Sequence, residues 1–237
     1  MGTSYQDLRS IDKSLKTIFK ESQCLFLEKD VIDGKVSNDI VENFRNKNVQ
    51  YNIKMIELGN QTLKPKDEES KPTPNKSYRV MNYNRLPAKM YFSSIGINHT
   101  SIDTNGKDGA LPLNLADPRT SQKYNNFDIL TNFGTSEHVY DQYECWKNIH
   151  NFIKVGGVFC HAVPATGYWY KHGSCYAWHD ESFFKGLAIL NNYEILGLGR
   201  RGSPLHDYVK IFCNLKKKNN NDFISREEFS KLKLHKS

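Results

Sequence analysis

The chain is expected to form an α/β domain: a mostly parallel sheet, helices on both of its faces, and an antiparallel hairpin at its end. Three observations carry this. From residue 52 onward, short apolar runs alternate with longer amphipathic segments, the pattern of strands joined by crossover helices. "FDILTNF" and "VGGVFCHAVP" are dense in strand-forming apolar residues, as buried strands of a covered sheet require. Finally, "YEILGLGRRGSPLHDYVKIFCNL" holds two strand-like runs around a turn-prone middle.

The elements come in this order. In residues 1–48, Leu8, Ile11, Leu15, Ile18 and Phe19 recur at spacings of three and four, an amphipathic helix that packs on the main domain or serves as a lid or dimer contact. "NIKMIEL" (52–58) is a strand ending in an acid. Residues 62–86, rich in Pro, Lys, Glu, Ser and Asn without a period, form a polar insertion. "LPAKMYFSSIG" is a helix closed by Gly96, "HTSID" (99–103) a strand ending in an acid, and "GALPLNL" (109–115) another short strand. After "FDILTNF" a helix is expected from about Ser136 to Lys154, with Ser136 as its N-cap and Glu137 in its first turn, where the helix dipole favours a carboxylate. Val139, Tyr143, Trp146, Ile149 and Ile153 trace its apolar face. "DESFFKGLAILNN" supplies the next helix. Main-domain boundaries of 49–215 leave 216–237 as a basic, solvated tail with a short helix, where Ser225 and Glu228 have capping-box spacing.

Bulk composition narrows the class. With 38% hydrophobic and 25% charged residues among 237, the chain matches an ordinary globular protein, and no apolar run reaches membrane-spanning length. The start, "MGTSYQDLRS", has no apolar signal core, and Gln6 departs from the myristoylation pattern. Five scattered cysteines without a C-x-x-C pair suit a reducing, cytoplasmic setting. The net charge of +7 permits an anionic partner, but no interleaved basic and aromatic pattern marks a nucleic-acid face. Oligomeric state is not readable.

In parallel α/β sheets, ligands sit beyond the carboxyl ends of the strands. That singles out Glu57, Asp103, Asn114 and the stretch from Asn132 onward. His138 is either a pocket-wall hydrogen bonder or a proton acceptor. "HAVPATGYWYKHGSCYAWH" (161–179) gathers five aromatics and three histidines after a strand end. His172, Cys175 and His179, with His161 further back, include zinc-ligating types, yet their spacing matches no strong zinc signature and no metal is assigned. The same stretch also reads as an aromatic cap on the domain.

The order "IELGN", "SID", "LPLNL", "FDILTNFGTSEHV", "NFIKVGGVF" resembles the class I S-adenosylmethionine-dependent methyltransferases over roughly residues 50–215. The most specific portion is "FDILTNFGTSEHV…WKNIHNFIKVGGVF", similar to that family's strand, "EHV" helix start and helix ending in "LKPGG". The resemblance implies a Rossmann-like, mostly parallel seven-stranded sheet closed by an antiparallel hairpin. It implies S-adenosylmethionine as cofactor and methyl transfer by in-line displacement to an oxygen or nitrogen of a small-molecule acceptor.

On this resemblance Glu57, Gly59 and Asn60 fall in the first cofactor turn, and Asp103 takes the place of the acid that accepts both ribose hydroxyls. Asn114 and Leu115 fall at the adenine edge, and Asn132, Phe133 and Gly134 where backbone approaches the methionine moiety. Tyr168, Trp169, Tyr170 and Tyr176 would shape the acceptor site, with His172, His179 or His138 as its base. The single glycine in "ELGNQ" suits a cofactor without phosphates better than a dinucleotide, whose pyrophosphate needs a glycine-rich turn. A non-catalytic cofactor-binding protein that docks a partner, and an NAD(P)-dependent oxidoreductase, are the competing readings.

Overall fold

A computed structural model describes residues 2–3, 10–11, 53–63, 87–94, 97–165, 176–178, 180–203, 208–232 and 235–236. Its centre is a six-stranded mixed sheet. The strands are β2 (Lys54–Leu58), β4 (Asn98–Ile102), β5 (Phe127–Phe133), β6 (Ile153–Pro164), β8 (Tyr193–Ser203) and β9 (Tyr208–Lys217). They lie in the order β4-β2-β5-β6-β9-β8. The first four are parallel; β9 runs antiparallel to β6 and β8 antiparallel to β9. The last two strands thus form an antiparallel pair in which β9, inserted between β6 and β8, alone runs against the others. Short pairs flank this sheet: β1 (Gly2–Thr3) with β3 (Thr62–Leu63), and β7 (Tyr176–Ala177) with β10 (His235–Lys236).

The sheet is buried on both faces because strand residues alternate. Ile56, Leu58, Leu130 and Phe159 join one core, where Trp146, Trp178, Phe183 and Phe184 pack edge to face. Met55, Ile129, Val158 and Cys160 join a second core with Ile11, Ala88 and Phe92. Helices α1 (Ala88–Ser94), α2 (Gln142–Phe152) and α3 (Ser182–Leu190) cover the faces. In β5 every residue is buried, including Asp128, whose carboxylate is satisfied by Lys54 N at 2.8 Å and by the Lys154 ammonium.

Three expectations are corrected. Among the described residues the central sheet has six strands, and a seventh is not among them. The run "GALPLNL" contributes one parallel bridge beside β4, Ile102 to Leu111. Leu111 N donates to Ser101 O and Asp103 N donates to Leu111 O; two residues on, Leu113 N turns back to Leu111 O at 2.8 Å in place of a bond to β4, and the ladder stops. The helix expected from Ser136 breaks in two. A single 3-10 turn covers Ser136–His138, Val139 is extended, and α2 starts only after Asp141, whose side chain accepts from Glu144 N. The tail is solvated only in part: Phe223, Ile224 and Phe229 are buried in the main core, while Lys218, Asp222, Arg226, Glu227 and Glu228 stay exposed. Helix α4 (Arg226–Ser230) carries the predicted Ser225–Glu228 capping box. Arg226 holds it against α2, pairing with Asp141 and Glu144 and lying 4.3 Å from the Tyr143 ring centre.

Candidate functional site

Two glycines with left-handed backbone end neighbouring strands: Gly59 after β2 at φ 78° and Gly134 after β5 at φ 79°. Gly59 N donates to Ile102 O at 2.7 Å and Gly134 N to Ala162 O at 3.1 Å. Each lets the chain leave its strand sharply without a Cβ in the way. At Gly59 the space is already full. A Cβ there would lie 2.5 Å from Thr135 Oγ1 and 2.8 Å from Gln61 Nε2. These two groups tie the strand ends together, since Thr135 Oγ1 donates to Leu58 O at 2.7 Å and accepts from Gln61 at 3.3 Å.

Above these turns lies a pocket of about 370 Å³ at the carboxyl ends of β2, β4 and β5. Of the residues that sequence reasoning assigned to a ligand, Gly59, Asn60, Asp103, Asn114, Leu115, Gly134 and His138 all line it. Asp103 Oδ2 accepts from Asn60 N and Oδ1 from Asn105 N, both at 3.0 Å. Each carboxylate oxygen keeps a lone pair for a ligand hydroxyl. The Asn60 side chain donates to Asp108 and to Lys107 O, which fixes the 103–109 loop as one rim. Ile102, Leu113, Leu115 and Val139 add apolar wall.

The remaining assigned residues sit elsewhere. Glu57 lies outside this lining, 1% exposed. Its Oε2 accepts weakly from Gln61 N and faces His99 Nε2 at 3.6 Å, and burial raises its pKa. Glu57 and Asp103 therefore do not line the pocket together. Asn132 and Phe133 are buried beneath the pocket. Asn132 donates from Nδ2 to Ser136 Oγ and lies 3.2 Å from His161 Nδ1, and its Oδ1 accepts from Ser136 N. Ser136 is thus bound back to the strand and caps no helix. Tyr176 is not in the lining, but its hydroxyl donates to O of Tyr140, which is. Tyr168, Trp169, Tyr170, His172, Cys175 and His179 lie outside the described residues. Among the described residues no cluster of His, Cys, Asp and Glu can hold a metal.

Electrostatics separate the histidines. His138 is exposed on the pocket, and partial desolvation lowers its pKa below 6.5, so its imidazole is neutral at pH 7 and able to accept a proton. His161 is enclosed by Trp146, Phe159 and Phe184, and burial pushes it down to about 3. Burial pushes the neighbouring Glu137 of the same turn as His138 up to about 7.

Sequence reasoning missed Gln61, Thr135 and Asn148. The first two adjoin the glycine turns, and their position beside Asn60 and Gly134 was the available signal. Asn148 gave none. It projects from the middle of α2 and donates to Leu115 O and Asp117 O at 2.9 Å, while accepting from Ser121 N at 3.0 Å. This buried amide holds the loop that carries Asn114 and Leu115 against the pocket.

No protein-family profile matches the chain, and no curated protein matches it. Solved structures give distant likenesses. The Burkholderia thailandensis 1,6-didemethyltoxoflavin-N1-methyltransferase, bound to 1,6-didemethyltoxoflavin and S-adenosylhomocysteine, is 9% identical with a TM-score of 0.46, covering 92% of each chain. The [4+2]-cyclase SpnF is 11% identical at 0.41, covering 79% of this chain and 86% of its own. The CurJ carbon methyltransferase is 10% identical at 0.40, covering 91% and 59%. With likenesses this distant, the functional reading rests on the pocket.

Proposed function

We propose that the chain is an S-adenosylmethionine-dependent methyltransferase acting on an oxygen or nitrogen atom of a small-molecule acceptor. The observation that carries this reading is the pairing, in one pocket, of a two-oxygen acceptor, Asp103, with a single glycine turn so tight that no Cβ fits, Gly59. A nucleoside without phosphates asks for that combination: a carboxylate for two adjacent hydroxyls, an apolar slot for a base, and one close backbone approach. The residues fit the cofactor. Asp103 would hold the ribose, Leu115 and Val139 would enclose the adenine, and the Gly59 and Gly134 turns would border the methionine end. When bound, S-adenosylmethionine supplies a methyl group activated by a sulfonium.

The chain's own contribution is alignment and exclusion of water. The neutral His138 imidazole faces the pocket and is suited to take the proton that an oxygen or nitrogen acceptor loses. Tyr176, and the 168–179 segment as an expectation from sequence, would shape the acceptor side.

The path of the backbone after Gly59 disfavours the dinucleotide alternative. The chain continues through Gln61 into β3, so no helix N-terminus directly succeeds the turn to receive a pyrophosphate. Calorimetric titration with S-adenosylmethionine, S-adenosylhomocysteine and NAD tests the reading. Saturable binding of the first two and none of the third is expected; an intact fold that binds neither adenosyl compound overturns it.

A further inference from the structure

The short turn Ser136–His138 has two sides. Thr135, His138, Val139 and Tyr140 line the pocket, while Glu137 turns back into the protein and is 1% exposed. A carboxylate so placed normally has a cation or several N–H donors. Among the described residues Glu137 has neither at close range: its Oε2 is buried without a hydrogen-bond partner. Its own backbone N–H is the one described hydrogen-bond donor that eases its ionisation, and Lys210 of β9 the one described cation. Helix propensity does not explain it either, because α2 begins after Asp141.

We propose, resting on the methyltransferase reading, that Glu137 is the buried charge by which this pocket discriminates a cationic adenosyl ligand from its neutral counterpart. Consecutive Cα atoms are about 3.8 Å apart, so the carboxylate lies on the order of 10 Å from a ligand touching Thr135 or His138. At that range, in a protein-like effective dielectric, one unit charge changes the affinity of a cation about tenfold. S-adenosylmethionine and S-adenosylhomocysteine form the matched pair, since they differ by the sulfonium charge and its methyl. A site that favours the charged form favours substrate over the product that would block it.

The titratable groups near this turn decide how the effect varies with pH. On the elements that meet this turn the titratable groups are His138 on the turn itself, Asp141 and Cys145 from α2 and its cap, His161 from β6 and Tyr176 from β7, and Lys210 of β9 acts on Glu137 electrostatically. His161 stays neutral above about pH 3, and burial with nearby acids raises the Cys145 thiol. Glu137 ionises near pH 7, so the preference for the cation is present above that pH and fades below it. Protonated His138 would repel a cation at low pH in the same direction, and for that reason pH alone is not the test.

The experiment is calorimetric titration with S-adenosylmethionine and S-adenosylhomocysteine at pH 6 and pH 8.5, on wild type, Glu137→Gln, Glu57→Gln and Lys210→Met. For wild type the affinity ratio, charged over neutral, should rise about fivefold to tenfold between the two pH values. Glu137→Gln should flatten that rise while leaving S-adenosylhomocysteine affinity unchanged. Lys210→Met should move the midpoint to higher pH, because it removes the cation that favours ionised Glu137; it reports on Glu137 even if Glu137→Gln does not fold. Binding of both ligands with a ratio that ignores Glu137→Gln, or that tracks Glu57→Gln instead, overturns the inference and leaves the methyltransferase reading standing. Binding of neither ligand overturns both.

Discussion

At the scale of single residues, the pocket depends on positions where one atom decides. Gly59 combines a left-handed φ with a Cβ site already occupied by Thr135 and Gln61. Gly59→Ala is expected to destabilise the fold by at least about 1–2 kcal/mol from backbone strain alone and to abolish adenosyl binding; thermal melts and titration check both. Asp103→Ala removes a charged acceptor while its loop partners stay on the surface. Cofactor affinity should fall by about 1.5–3 kcal/mol with the melting temperature little changed, and unaltered affinity would place the ribose elsewhere. Glu137 predicts a pH effect on stability. Its folded pKa, about 7 against 4.5 unfolded, is raised. The stability it contributes is therefore complete below pH 4.5 and is lost as pH climbs toward 7. The loss totals about 3 kcal/mol. Glu137→Gln should thus melt progressively higher than wild type as pH rises from 5 to 8, and a constant offset would contradict the assignment.

At the scale of elements, Asn148 shows how a helix builds a site it does not touch. Its amide joins α2 to the carbonyls of Leu115 and Asp117 and to Ser121 N. Asn148→Leu leaves those buried groups unpaired, at a cost of about 1–3 kcal/mol for each one that water cannot reach. Weaker cofactor binding should accompany the lower melting temperature. Strands were the legible part of the sequence, because β2, β5 and β6 are rich in apolar residues and end at glycines or proline, while β4, mostly polar, is marked by the acid that follows it. The break before α2 was not legible. Val139 keeps step with Tyr143, Trp146 and Ile149, so periodicity extends the helix through a residue that is in fact extended and lines the pocket. The Asp141 cap ends the turn, one of several capping residues nearby, and spacing alone does not choose among them.

At the scale of the whole molecule, the chain closes on itself through its last residues. Composition marked 216–237 as basic and solvated, since Lys and Asn outnumber the three apolar side chains that matter. Phe223, Ile224 and Phe229 nevertheless complete the core under α2 and α3. Phe229→Ala should cost about 3 kcal/mol, visible in chemical denaturation, whereas a detachable tail would show no change. Topology pointed to Asp103, Asn114 and Gly134 at strand ends, the family resemblance to Gly59 and Leu115, and all five line one pocket. Depth was not readable: Glu57 ends its strand beside them yet lies outside the pocket lining and faces His99. Alternation along a strand gives the face of a side chain and not its distance from a ligand. The most direct test of the central claim is a crystal structure with S-adenosylhomocysteine. The account predicts both ribose hydroxyls within hydrogen-bond distance of Asp103 and the adenine against Leu115. A nucleoside bound away from Asp103 would contradict it.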